Sequence, residues 1–441
     1  MPYTEILALC MIGAFFMMLL AGVPVAVCLG VTGFAFGYMG FGSMLFTLMP
    51  ARIFGVVTNY TLLALPLFIF MGIMLEKSRI AEDLLDVIGF AMGGLRGGMA
   101  LAIILVGVLM GAASGVVGAT VVTMGLIALG PVLNRGYNVG VASGVICASG
   151  TLGQIIPPSL VLILLADIMG ESVGTLFAAA LFPGLLLSGL FVAYVLILGF
   201  VSPNTLPAIP LVEREAMPRG ELAAKLIKVV LPPIALIVLV LGSIIGGVAA
   251  PTEAASMGAF GSILLALLAR RLNFSILKMA VRGAFVTSAM VFLILIFAQP
   301  FGLAFRGLGG EHLVQSAFSG VPGGMEGQIF FLMLLLFVLG FFLEWIEISY
   351  IALPLFLPIF LQSGADMAWI AILVAMNLQT SFLTPPFGWA LFFLKGVAPP
   401  TVKTSDIYKG VLPFIGIQLI GLSLVYFFPG LATWLPQAIG W

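Results

Sequence analysis

The chain is poor in charge: of its 441 residues only 8% are Asp, Glu, Lys or Arg, while 62% are apolar. A soluble domain carries about 25% charged residues, so there is too little charge here to cover a water-facing surface. That excludes a soluble enzyme, a nucleic-acid binder and a disordered chain. The net charge is zero, which gives no bulk attraction to an acidic or basic partner. The three cysteines, Cys10, Cys28 and Cys147, lie inside apolar runs without paired or metal-ligand spacing and read as small core residues. The single histidine, His312, has no nucleophile beside it and reads as solvated. No glycine-rich run is followed by Lys-Ser/Thr, so the phosphate loop of an ATP-driven pump is missing. No catalytic residue, organic cofactor or metal cluster is expected, and the chain is not read as an enzyme.

What the chain has is apolar length. At about 20 residues per crossing, its runs suffice for about ten or more spans. It is read as an all-α polytopic membrane protein. Met1 to Glu5 lacks the basic stretch of a signal peptide, so the run from Ile6 is the expected first span. The 54 glycines and 26 prolines are too many for a bundle of straight helices. Two pairs of runs, 98–112 with 113–132 and 328–343 with 347–362, are short and interrupted, the first at Gly111 to Gly115 and the second around Glu344 to Glu347. Both are expected to be re-entrant hairpins, which a membrane tolerates where protein or a water-filled cavity lines them.

Charge distribution supports this topology. With both hairpins re-entrant and the N-terminus outside, 15 of the 17 basic residues fall on the cytoplasmic side, and only Arg52 and Arg306 remain outside. The hairpins then open to opposite sides. The segment 76–97 mixes Glu76, Lys77, Arg79, Glu82, Asp83 and Asp86 with Ile80, Leu84, Leu85 and Ile88, as an interfacial amphipathic helix would. A hydrophilic connection, 202–227, separates two halves.

The halves resemble each other in order. Gly98-Met99 precedes Pro157-Pro158 as Gly324-Met325 precedes Pro385-Pro386. Each half thus has a hairpin followed by a proline-broken helix, and the topology turns the second copy upside down. Inverted repeats with broken helices are a recurring plan of secondary transporters, whose site lies at mid-membrane where the repeats meet. Proline removes an amide donor and unwinds the helix, freeing carbonyl oxygens for a small cation, while half-helix amide ends favour an anion. Polar clusters precede each break: Ser149, Gly150, Thr151 and Gln154 in the first half, and Asn377, Gln379, Thr380, Ser381 and Thr384 in the second. The hairpin tips add Ser114, Gly115, Gly118 and Thr120 on one side, and Glu344, Glu347 and Ser349 on the other. Intramembrane carboxylates are functional by default, although Glu344 and Glu347 also suit the cap of a hairpin tip.

At these residues the chain resembles the DctM family, the large membrane subunits of TRAP (tripartite ATP-independent periplasmic) transporters. The resemblance rests on Gly118-Ala-Thr-Val-Val122, on the run Ala148 to Ser159, on Pro251-Thr-Glu-Ala-Ala255 and on the run Asn377 to Gly388. The variants look like the mannitol/chloroaromatic or 2-oxo acid branch. The first tip reads Ala113-Ser-Gly-Val-Val-Gly118, with fewer hydroxyls than the Ser-Gly-Ser-Ser type of many relatives.

The resemblance implies an elevator-type, sodium-coupled importer of small organic acids in the bacterial inner membrane. Its expected partners are a small membrane subunit of about four helices and a periplasmic substrate-binding protein. Sodium is then expected at Ser114, Gly115, Gly118, Thr120, Gly150, Thr151 and Pro157 in one repeat, and at Glu344, Ser349, Thr380, Ser381 and Pro385 in the other. Substrate is expected at Ser149, Gln154, Glu347, Asn377, Gln379 and Thr384. The expected division is 1–97 scaffold and arm, 98–170 first hairpin and broken helix, 171–304 scaffold, 305–327 second arm, 328–397 second hairpin and broken helix, and 398–441 a last span. A proton-coupled organic-anion transporter and an ion channel are the alternatives.

Overall fold

The computed structural model describes residues 3–210, 213 and 218–440, except the side chains of Ala113, Ser114, Arg219 and Ser319. Ser114, expected among the cation ligands, therefore has its side chain outside the described residues, as does the whole of Arg214. The described residues contain helices and no strand.

Seven helices among them are long and apolar enough to cross a membrane, or up to nine if each bent pair forms one span. This is fewer than about ten, because the hairpin arms and the halves of the broken helices are mostly shorter than a crossing. One framework is built on Val25–Phe41 and Phe274–Gly307, which pack together. Their backbones approach so closely that a Cβ on Gly33 would lie 2.5 Å from the Phe301 nitrogen, the small-residue packing typical of membrane helices. Ala64–Lys77 packs on Pro251–Leu268 and on Phe274–Gly307. The apolar stretch 24–48 is not one helix. Gly42, at φ 59°, ends Val25–Phe41, and a separate helix Met44–Val57 follows, bent by 52° against Thr61–Lys77. Hydropathy does not register this turn, because both sides of it are apolar.

Ile80–Met92 is amphipathic as expected. It buries Ile80, Ala81, Leu84, Leu85 and Ile88, and its Asp83 pairs with Arg271 at 2.8 Å. The helix Val173–Val201 packs on both halves' broken helices and on Thr404–Phe427, not chiefly on the framework.

Glu5 meets His312 at 3.2 Å and Asn59 meets Asp167, pairs of residues that the charge distribution assigns outside. Asp83 meets Arg271, Arg135 meets Glu213 at 3.1 Å, and the Ile209 amide donates to the Gly93 carbonyl, all between residues assigned to the cytoplasmic side.

Candidate functional site: two broken helices and their hairpins

In the first half, Gly98–Ser114 ends at Gly115, whose φ of 61° gives the left-handed turn that a side chain would resist. The chain then returns through Val117–Met124, a π-helical turn Gly125–Leu129 and Gly130–Asn134. Both arms lie on Val139–Thr151. A Cβ on Gly107 would be 2.6 Å from that of Ser149, and one on Gly111 would be 2.6 Å from the Gly153 Cα, so the first arm runs with this helix. Val121 packs on Gly150, while the later turn Gly125–Leu129 packs back on Val139–Thr151, so the second arm runs against it. The pair is a hairpin.

Val139–Thr151 tightens into a 3-10 turn at Leu152–Gln154, breaks at 155–159 and resumes as Leu160–Met169. In a continuous helix Pro157 and Pro158 would have to donate to the carbonyls of Gly153 and Gln154, and they have no N–H to give. The Ser159 hydroxyl donates to the Gln154 carbonyl instead, at 2.7 Å.

The second half repeats the arrangement. Gly324–Leu339 is the first arm; Trp345–Ile351, bent by 52° onto Leu353–Gln362, is the second; Met367–Leu383 and Trp389–Val397 are the halves of the broken helix. Eight residues before the first proline of the break, Ser149 faces Gly107 in one half, and Asn377 donates to the Met333 carbonyl at 2.7 Å in the other. Four residues before it, Gly153 faces Gly111, and Ser381 faces Gly340. Both breaks carry a cis bond, at Pro157-Pro158 and Pro385-Pro386. The halves interlock. Leu160–Met169 packs on the second arm of the second hairpin, and Trp389–Val397 on that of the first, where Phe393 covers Gly118. The turn Leu152–Gln154 packs on Met367–Leu383, bringing the two breaks together.

The side chains at this junction fall into two kinds. Hydroxyls donate to their own helices: Ser149 to Ile146, Thr151 to Ala148, Thr380 to Met376, Ser381 to Leu378 and Thr384 to Thr380, at 2.8–3.0 Å. Thr120 does likewise to Val116. This back-bonding orients each proton away and leaves oxygen lone pairs as acceptors. Gln154, Gln379 and Ser349, in contrast, are fully buried with side-chain polar atoms that have no hydrogen-bond partner. Leaving such a group unsatisfied costs about 1–3 kcal/mol. A ligand site is a physical reason to keep the two amides, Gln154 and Gln379, beside one junction.

Glu347 is the N3 residue of its short helix, and its carboxylate accepts from the Glu344 N–H at 2.8 Å. It thus caps the hairpin tip, on a helix that packs against Phe274–Gly307. Pro157 is buried, while Pro385 and Thr384 are half-buried, so the second break is the more open. Gln418 was not singled out by sequence. Its amide donates to the Thr151 hydroxyl at 3.1 Å, with its own carbonyl oxygen buried and unpartnered. The signal available was a lone amide within an apolar span.

A helical membrane protein with two hairpin-and-broken-helix units meeting at buried polar breaks has the framework of a secondary transporter. The fold is similar to that in the crystal structure of the Alcanivorax borkumensis YdaH transporter, with a TM-score of 0.61 over 100% of this chain and 99% of that one, at 13% identity. The family model described as "Tripartite ATP-independent periplasmic transporter, DctM component" matches residues 12–431, and the chain belongs to this family. It is 32% identical to the C4-dicarboxylate TRAP transporter large permease protein DctM of Pseudomonas aeruginosa, over 89% of this chain and 90% of that one. It is 30% identical to the isethionate TRAP transporter permease protein DctMQ of Oleidesulfovibrio alaskensis, over 95% of this chain and 65% of that longer one.

Proposed function

We infer that this chain is the large permease of a sodium-coupled importer of a small organic acid, working in the bacterial inner membrane with its N-terminus periplasmic. A periplasmic substrate-binding protein delivers the acid, and a small membrane subunit completes the complex. The observation that carries this reading is the junction of the two breaks, where buried, unpartnered amides lie among hydroxyl oxygens whose lone pairs are free to accept. The names of the relatives, a C4-dicarboxylate and an isethionate permease, support an acidic substrate.

Sodium binds where each hairpin meets its own break: Gly115, Gly118 and Thr120 with Gly150, Thr151 and Pro157, and Glu344 and Ser349 with Thr380, Ser381 and Pro385. Substrate lies between, at Ser149, Gln154, Asn377, Gln379 and Thr384, with Glu347 holding the tip. The mobile unit of the elevator consists of both modules. Packing adds Val173–Val201 and Thr404–Phe427 to it, since each follows a broken helix and lies on it. The framework, with the sparsely buried helices Tyr3–Leu20 and Gly220–Ile245, holds the small subunit.

The driving force is sufficient. One net charge moving across 100 mV supplies about 2.3 kcal/mol, and each sodium ion moving down a tenfold gradient about 1.4 kcal/mol. The test is uptake into proteoliposomes holding the chain and its small subunit, with binding protein and sodium added separately. Uptake should require both. Uptake that ignores sodium and follows a proton gradient would overturn the coupling.

A further inference from the structure

A second polar site lies away from the breaks, at the seam between framework and modules. It is a cavity of about 370 Å³ whose polar lining is Arg52, Asn59, Asp167, Gln299 and Tyr350. Arg52 and Asn59 belong to the bent segment after Gly42, and Gln299 to the framework helix Phe274–Gly307. Asp167 comes from the first broken helix and Tyr350 from the second hairpin. The volume is within the range of small-molecule sites, about 300–1,000 Å³.

Its charges are arranged unequally. Arg306 stands near enough to feel the charge of Arg52, and that of Glu311, which opposes it. Its guanidinium turns back along its helix toward Gly302, on the face that carries Gln299. Neither arginine has an ion-pair partner among the described residues. They are also the two basic residues that the charge distribution leaves outside. Arg52, a cation without an ion-pair partner in the lining of a polar cavity, favours a carboxylate, which a guanidinium binds through paired N–H donors. At the other end Asp167 is already satisfied, accepting from Tyr350 Oη at 2.8 Å and Asn59 Nδ2 at 2.5 Å. That end favours a ligand group able to donate a hydrogen bond and disfavours a second negative charge.

We propose that this cavity is an outer receiving site for a small hydroxylated monocarboxylic acid, with Arg52 holding its carboxylate, Arg306 adding positive charge nearby, and the Asp167–Tyr350 pair holding its hydroxyl. It rests on the transport reading above and adds the chemical class of the cargo. Because Asp167 and Tyr350 belong to the modules and Arg52 and Gln299 do not, the site exists only while modules and framework hold this relative position.

Equilibrium binding separates this from the coupling question, since it needs no gradient. The complex of this chain with its small subunit, in nanodiscs of neutral lipid, is titrated with lactate and with propionate, and bound ligand is read by saturation-transfer NMR. Lactate should bind more tightly than propionate. Arg52→Gln should weaken lactate by about tenfold, Arg306→Gln and Arg52→Lys should weaken it less, and Asp167→Asn should narrow the preference over propionate. Anionic lipid should leave lactate binding in place. Equal binding by wild type and both glutamine variants overturns the proposal. So does loss of lactate binding in anionic lipid, which assigns the arginines to lipid phosphate, or an effect of the variants on docking of the binding protein alone. Sodium-independent uptake with this binding pattern intact overturns only the coupling.

Discussion

At the scale of single residues, the distinction at the breaks is between hydroxyls that are satisfied and amides that are not. Thr380 and Ser381 spend their protons on their own helix and offer only oxygen lone pairs. Removing either oxygen should therefore leave the fold intact and act on a cation. Thr380→Ala and Ser381→Ala are each expected to raise the sodium concentration for half-maximal uptake severalfold, and unchanged sodium dependence removes these side chains from the site. Gln379 has its whole amide buried without a partner. Replacing it by an apolar residue of similar size removes a desolvation penalty of about 1–3 kcal/mol. Gln379→Leu should raise the thermal midpoint of the complex while uptake falls; a variant that is destabilised and still transports would contradict the assignment. The polar clusters before both proline pairs were legible in the sequence, because polar side chains inside apolar runs stand out. Which of them lack partners was not, since that depends on what lies across the junction. For Glu347 the sequence offered a cap beside a ligand role, and its carboxylate accepts from the Glu344 amide.

At the scale of elements, glycines set how closely the hairpins approach the broken helices. Gly115 turns the first hairpin in the left-handed region, and a Cβ there would also lie 2.8 Å from Leu160 Cγ. Gly115→Val should cost about 1–2 kcal/mol from the backbone alone and more from the contact, lowering the thermal midpoint and the yield of folded complex. Gly410 packs against the Gly140 carbonyl with no room for a side chain. Gly410→Val is expected to cost about 1–3 kcal/mol through overpacking and to loosen Thr404–Phe427 from the first broken helix, read as earlier unfolding of that contact in hydrogen exchange. The hairpins and both breaks were read from sequence at nearly their observed places, because short apolar arms with Gly or Pro-Pro interruptions have few other uses in a membrane. Met44–Val57 was missed as a separate helix, since Gly42 turns the chain without any change in hydropathy.

At the scale of the whole molecule, the seam between framework and modules is where the proposed elevator would slide. Asn59 on the framework side bonds Asp167 on the module side. In a background with Cys10, Cys28 and Cys147 replaced, Asn59→Cys with Asp167→Cys should become cross-linkable by a short thiol-specific reagent, stopping uptake until reduction restores it. Uptake that continues through the cross-link would mean this seam does not move. The sequence by itself determined that the chain lives in a membrane and where its polar clusters and proline pairs interrupt the apolar runs, because burial in lipid is decided by composition and local pattern. Only the tertiary structure decided that Leu160–Met169 and Trp389–Val397 each pack on the other half's hairpin, that Val173–Val201 lies on both broken helices, and that Arg52 lines one cavity with Asp167 and Tyr350. Those are contacts between segments far apart along the chain, and they follow from how the helices fill space around one another, which no local pattern encodes.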